Sequence, residues 1–162
     1  MREMTEQQVM QKLSALCAQA EHCSYEMTEK MRRWGIEEEV QARVMARLTE
    51  EKYIDDERYC RLFVREKIKF NKWGRRKVEQ ALMAKRIDRG IARRVLDEVN
   101  DEDYLAVLRP LIKSKRRQLK PMSDYETTGK LVRFAMSRGF TTDLIRQCLD
   151  GADEVEIEED EE

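Results

Sequence analysis

Proline and glycine are scarce in this chain: two and six among its 162 residues. A β sandwich spends both freely at its turns, so their scarcity excludes that class and leaves long, well-solvated helices. Aromatic residues make up only 7% of the chain, against 40% charged. No apolar run approaches the roughly 18 to 20 residues that a membrane span requires. The opening Met1-Arg2-Glu3-Met4-Thr5-Glu6 lacks the basic-then-apolar order of a secretory signal. Cys17, Cys23, Cys60 and Cys148 have neither CxxC spacing nor the density of a secreted disulfide framework. Together these absences point to a cytoplasmic protein with no membrane partner. The single histidine, His22, lies near Cys17 and Cys23, but structural zinc takes four ligands and no fourth is nearby. No metal or other cofactor is expected.

What the chain has instead is a period. Met27, Met31, Ile36, Val40, Val44 and Leu48, advanced by 51 residues, fall on Val78, Leu82, Ile87, Ile91, Val95 and Val99. Advancing the first five of those by 53 gives Leu131, Ala135, Phe140, Leu144 and Cys148, again without a polar residue. Self-similarity at a fixed period marks stacked helical modules that bury their apolar faces against their own helices and their neighbours. The expected fold is all-α, an elongated array of three tandem three-helix repeats. Module 1 spans residues 1–54, a basic module 2 residues 55–101 and module 3 residues 102–151; residues 152–162 form an acidic, disordered tail.

Local signals divide each module. A helix is expected over about 5–20, and Ser24 is the candidate N-cap of the next, which stops at Gly35 with Ile36 folding back. The third helix covers about 37–50. In module 2, Asp55 or Asp56 caps a helix to about Lys72, Trp73-Gly74 breaks the chain, a helix follows over 75–86, and Asp88 caps the last. Module 3 starts near Asp103; Pro110 is expected to kink its first helix or mark a restart. A longer connection over 121–125 leads to a helix from Thr128 to Ser137. Gly139-Phe140 then echoes Gly35-Ile36, and Thr141 caps a final helix ending near Gly151.

The net charge of -1 conceals a segregation. Residues 1 to 57 hold 8 basic and 13 acidic groups, residues 58 to 120 hold 20 and 8, and the last ten residues hold eight acids. Arg58, Arg61, Arg65, Lys69 and Lys72 recur at steps of three and four, the spacing of one helix face. Arg75, Arg76, Lys77, Lys85, Arg86, Arg89, Arg93 and Arg94 extend the charge over module 2. Lys113, Lys115, Arg116, Arg117 and Lys120 follow in module 3. Charged helix faces are ordinarily just solvated. Here few acids lie near in sequence, so a polyanion or an acidic protein surface is the expected partner. If five of these groups neutralise phosphates, log K falls with log salt at a slope of about -4.

Other candidates have plainer readings. Asp55 and Asp56 are paired carboxylates, but an aspartate opening a helix serves as a cap, and no second acid or histidine stands at a useful spacing for catalysis. Tyr53 and Tyr59 flank that cap and are expected to pack between modules. Trp34 and Trp73 stand beside helix-terminal glycines and are read as packing residues rather than base-stacking platforms. Gly129-Lys130 lacks the spaced glycine of a phosphate loop.

Tyr53-Ile54-Asp55-Asp56-Glu57-Arg58-Tyr59-Cys60, then Arg65, then Trp73-Gly74-Arg75-Arg76-Lys77-Val78 through Lys85-Arg86-Ile87 resemble the RecX family. Its pattern is a tyrosine, a leucine, two aspartates, two variable residues, an aromatic and a small residue, followed by a glycine-led helix ending in lysine-glycine-isoleucine. Glu21 to Met27 and Trp34-Gly35 fit its amino-terminal part, and the likeness covers residues 10 to 150. Ile54, Tyr59 and Cys60 replace the commoner leucine, phenylalanine and alanine. Arg86 stands where glycine is frequent, which argues that this turn needs no glycine backbone. The resemblance implies three tandem three-helix repeats and a non-enzymatic regulator. It further implies that this regulator lies in the groove of the RecA recombinase filament and restrains strand exchange and stimulated repressor cleavage.

The leading expectation is therefore a monomeric modulator, mainly an inhibitor, of the RecA filament, touching single- or double-stranded DNA weakly and without sequence preference. Its filament- or DNA-binding candidates are Arg58, Arg61, Arg65, Lys69, Lys72, Arg75, Arg76, Lys77, Lys85, Arg86, Arg93 and Arg94. Tyr53, Asp55, Asp56, Tyr59, Gly35, Gly74 and Gly139 carry the structural motif. The alternative is a sequence-specific helix-turn-helix regulator, disfavoured because long basic side chains suit phosphates better than base edges and no dimerisation segment is evident. A scaffold that binds protein alone is the third reading.

Overall fold

The computed structural model describes residues 3–149, and no strand occurs among them. The helices are α1 (Glu6–Gln19), α2 (Ser24–Arg33), α3 (Glu38–Glu50), α4 (Asp56–Lys69), α5 (Arg75–Ala84), α6 (Arg89–Asp97), α7 (Asp101–Gln118) and α8 (Asp124–Ser137). A further helical stretch, α9, covers residues 142–149. Gly151 and the acidic segment 152–162 lie outside the described residues. The nine described helices fall three to a repeat. Every position linked by the 51- and 53-residue offsets is buried or half-buried, from Met27 and Leu48 through Val78 and Leu82 to Leu131 and Cys148.

The repeat also copies a backbone turn. At the end of α2 the Ile36 N–H donates to Met31 O at 3.0 Å and the Gly35 N–H to Arg32 O at 3.0 Å. At the end of α5 the Ile87 and Arg86 N–H groups bond Leu82 and Met83, and at the end of α8 those of Phe140 and Gly139 bond Ala135 and Met136. This paired closure needs a left-handed residue at its centre. Gly35 and Gly139 supply it at φ 71 and 91, but so does Arg86 at φ 56. The expectation that a side chain at position 86 spares the turn a left-handed backbone is therefore corrected: the geometry is kept, at a cost of about 1 kcal/mol for a residue with a Cβ.

Several helix ends differ from the sequence reading, each for a local reason. Cys23, not Ser24, is the N-cap of α2, because the Ser24 N–H and hydroxyl both turn to Asp56. α4 stops at Lys69 rather than Lys72, since Lys72 takes a φ of 58. α5 ends at Ala84, before the turn that carries Arg86. α7 starts at Asp101, where Asn100 and Asp103 form a capping box. α8 starts at Asp124, four residues ahead of Thr128, because the Ser123 side chain accepts from the Glu126 N–H. Pro110 neither ends nor restarts α7. It and Ala106, whose carbonyl loses its helical donor, are both exposed, so water can take that bond.

The chain packs as two compact units whose border cuts across the repeats. Unit 1 is Met1–Phe63 with Leu82–Val95, and unit 2 is Val64–Ala81 with Leu96–Glu162. Module 2 contributes to both, as expected of helices that bury their apolar stripes against neighbouring repeats. In unit 1, Val9, Met10 and Leu13 of α1 meet Met27 and Met31 of α2 and Val44 and Leu48 of α3, with Ile54 closing the cluster. The recurring four-residue step puts each pair on one face, and each such side chain contributes about 1.5–3 kcal/mol by burial. In unit 2, Tyr104, Leu105, Leu108 and Ile112 form the buried face of α7, and α8 adds Leu131 and Ala135.

Candidate nucleic-acid interface

Two junctions, one in each unit, hold the motif residues. In unit 1, Asp55 accepts the Arg58 N–H at 3.0 Å and so caps its own helix, α4. Asp56 reaches back to α2, accepting the Ser24 N–H at 2.8 Å and the Ser24 hydroxyl. The two carboxylates are thus caps on two different helices. Tyr59 is buried and burial raises its pKa, with the Glu26 carboxylate adding to the effect. Ile54 and Cys60 are buried as well, so the departures from the family pattern at these positions keep its apolar character. Tyr53, by contrast, is exposed and does not pack between modules. Position 53 serves through its backbone instead: its N–H closes α3 on Leu48 O, and its carbonyl accepts from Arg58.

Glu26 was not singled out by sequence, yet it gathers the groups of the unit 1 junction. Its carboxylate accepts the Cys23 N–H at 3.1 Å and lies 3.5 Å from Lys85 Nζ and 3.7 Å from His22 Nδ1. Burial opposes its charge, but the Cys23 N–H and Lys85 outweigh it and hold the carboxyl below its ordinary pKa. The Cys23 thiol points to the Lys85 carbonyl at 3.8 Å, and burial pushes its pKa up to about 11, leaving it protonated and inert.

In unit 2 the same repeat positions meet as backbone. Gly74 stands 51 residues after Cys23, and Arg138 stands 53 after Lys85. The Gly74 N–H donates to Arg138 O at 2.8 Å and the Arg76 N–H to Gly139 O at 3.0 Å. A Cβ on Gly74 would lie 2.5 Å from the Gly139 carbonyl carbon, and one on Gly139 would meet Lys77, so both positions need glycine for close approach. This clasp fixes the stretch from Trp73 to Lys77.

The twelve candidate cations divide between the units. In unit 1, Arg58 binds Glu21 at 2.8 Å and the Lys52 and Tyr53 carbonyls. Arg61 and Arg94 both sit on Glu57, at 3.1 and 2.5 Å, and hold its carboxyl below the ordinary range. Lys85 faces Glu26, Arg86 lies over the Tyr25 ring at 5.7 Å, and Arg93 is exposed. Acids distant in sequence thus offset Arg58, Lys85 and Arg94, pairings that neighbours in sequence do not reveal, while Arg61 meets Glu57 one helical turn away. In unit 2, Arg75 pairs with Asp97 at 2.7 Å. Arg65, Lys69, Lys72, Arg76 and Lys77 have no carboxylate partner among the described residues. Lys72 is off the α4 stripe, in the connection to α5. Lys77 lies 4.9 Å and Lys67 5.1 Å from the centre of the half-buried Trp73 ring. Sequence reasoning also passed over Phe70, which is 70% exposed with Lys69 above its ring at 5.5 Å. Its signal was a lone aromatic between two lysines at a helix end.

Over their described residues, unit 1 holds 14 Lys and Arg against 14 Asp and Glu, and unit 2 holds 17 against 10. The three residues that open α5, Arg75, Arg76 and Lys77, are all cations at the positive end of a helix dipole, an unfavourable place for charge of that sign. The arrangement suits an anionic partner better than an isolated surface. Among the described residues, no group of three or more His, Cys, Asp or Glu is arranged to hold a metal, and no helix is long and apolar enough to cross a membrane.

Fold and site define an all-α array of three-helix repeats with an excess of cations over acids among the described residues of one unit. Models of the first, second and third three-helix domains of RecX match residues 15–48, 55–96 and 101–149. The Regulatory protein RecX of Halorhodospira halophila is 30% identical over 142 residues, covering 86% of this chain and 84% of that protein. That of Lactobacillus johnsonii is 28% identical over 137 residues, 85% of this chain, which spans about half, 51%, of that relative's length. The crystal structure of RecX from Lactobacillus salivarius has the same fold, with a TM-score of 0.86 at 19% identity over 91% of this chain and 96% of that one. The chain belongs to the RecX family of regulatory proteins.

Proposed function

We propose that this RecX-family chain binds the RecA nucleoprotein filament and restrains its recombinase and co-protease activities by occupancy, without chemistry of its own. The observation that carries the reading is the set of cations in unit 2, Arg65, Lys69, Lys72, Arg76 and Lys77, which have no carboxylate partner among the described residues of a chain from a family of regulatory proteins. Modules over residues 1–54, 55–101 and 102–151 would act together as a cytoplasmic monomer along the filament groove. DNA and acidic filament loops both fit the charge. The unit 1 arginines beside Glu21 and Glu57 contribute less, because a phosphate approaching them also meets the carboxylate.

The test is the single-strand-stimulated ATPase of the cognate recombinase, with this protein added at substoichiometric amounts. A marked fall in turnover is expected, relieved by added salt. Unchanged turnover would remove the reading. Footprinting on random DNA separates the sequence-specific alternative: a defined protected sequence would favour a helix-turn-helix reader over a filament regulator.

A further inference from the structure

We propose that the stretch from Lys69 to Lys77 in unit 2 is a docking surface for single-stranded nucleic acid, with an unstacked base lying on the Phe70 ring and Lys69, Lys72, Arg76 and Lys77 meeting the flanking phosphates. The inference goes beyond the recombinase reading, because it concerns a direct contact made by this chain alone.

Three observations converge on it. The first is Phe70 itself, a large ring 70% exposed just past the end of α4, whose apolar residues Tyr59, Cys60, Val64 and Ile68 are buried and Leu62 and Phe63 half-buried. Packing does not account for its place, and an exposed ring with a lysine beside it in a cationic stretch is the arrangement on which single strands stack. The second is charge. The nine residues from 69 to 77 hold five cations and no acid, and only Arg75 has a carboxylate partner among the described residues. Lys67 and Lys77 lie over the half-buried Trp73 ring, whereas among the described residues the more exposed Phe70 ring has Lys69 alone over it, which a base can displace. The third is preorganisation. The Gly74 and Arg76 N–H groups are already bonded to the Arg138 and Gly139 carbonyls, which fixes the backbone and leaves phosphates to be met by side chains. A rigid platform loses less entropy on binding than a flexible loop.

A single strand fits better than a duplex, because stacked pairs hide the base faces that Phe70 would touch. An acidic protein surface would satisfy the cations but leave the ring without a partner of its own kind.

Fluorescence anisotropy of a labelled oligothymidylate, titrated with the full chain at several salt concentrations, tests the proposal, with a duplex of the same length beside it. The single strand is expected to bind more tightly, with a log–log salt slope of about -3 for four phosphate contacts. Phe70→Ala should weaken single-strand binding about tenfold. Phe70→Leu should not restore it and Phe70→Trp should, which separates stacking from simple apolar burial. Since the ring is exposed, these variants should keep the wild-type circular dichroism. Lys72→Glu with Arg76→Glu should flatten the salt slope. Wild-type affinity in Phe70→Ala, or an equal loss on duplex, would overturn the proposal. So would failure of the wild type to bind the oligonucleotide while Phe70→Ala loses binding to nucleic-acid-free recombinase, since the surface would then be a protein contact. Full inhibition of the recombinase by Phe70→Ala, together with unchanged oligonucleotide affinity, would remove this inference and leave the filament reading standing.

Discussion

In unit 1 the guanidinium of Arg43 sits on Glu6 at 2.7 Å and that of Arg94 on Glu57 at 2.5 Å, pairs that the 51-residue offset carries into each other. In unit 2 the same positions, advanced by a further 53, are Pro110 and Gln147, and the pair is lost. The junctions differ likewise. Unit 1 sets a buried thiol against the Lys85 carbonyl, whereas unit 2 lays Gly74 against Gly139 by backbone alone. One repeat can thus be built either with charges satisfied internally or with charges left open. The two units differ accordingly: the described charges of unit 1 balance, whereas in unit 2 Arg65, Lys69, Lys72, Arg76 and Lys77 have no carboxylate partner among the described residues.

The largest effect should come from breaking the tighter junction. Gly74→Val places atoms where the Gly139-Phe140 backbone lies and should cost about 3 kcal/mol in urea denaturation. Cys23→Val at the matching position of unit 1 should cost under about 1.5 kcal/mol. Equal costs would mean that the two junctions are not different solutions. Next, Asp56→Ala strips two donors on α2 of their acceptor and should lower stability by about 2 kcal/mol, against about 1 kcal/mol for Asp55→Ala, which uncaps only its own helix. Arg86→Gly should then raise stability by about 1 kcal/mol, since it relieves the left-handed backbone that Gly35 and Gly139 adopt without strain. The smallest effect is a pH slope. The Glu26 carboxyl has a folded-state pKa below its ordinary 4.5, so the folded form binds fewer protons than the unfolded form across that interval. Stability should fall as pH drops below about 4.5 and through the folded pKa, and Glu26→Gln should lose that part of the slope in thermal melts.

The apolar positions and the two glycine turns were legible in sequence because burial and a left-handed backbone each demand a residue type. The turn at Arg86 was not, because an arginine there pays against the rule and only the Leu82 and Met83 hydrogen bonds reveal it. Pro110 misled for the opposite reason: its helix face is exposed, so the lost bond is cheap. The cations read as one stripe because Arg58 to Lys72 follow helical spacing, but the stripe ends at Lys69 and the partner acids of Arg58 and Arg94 stand 37 residues away. The unit border between Phe63 and Val64 runs through α4 itself, where no local signal marks it.

The most direct test sets the two units against each other in one assay. Inhibition of the recombinase ATPase is compared for Lys72→Glu with Arg76→Glu in unit 2 and for Arg58→Glu with Arg94→Glu in unit 1, at a temperature where circular dichroism finds both folded. The account predicts that the unit 2 pair abolishes inhibition and that the unit 1 pair retains most of it. Loss confined to the unit 1 pair, or the same loss in both, would contradict it.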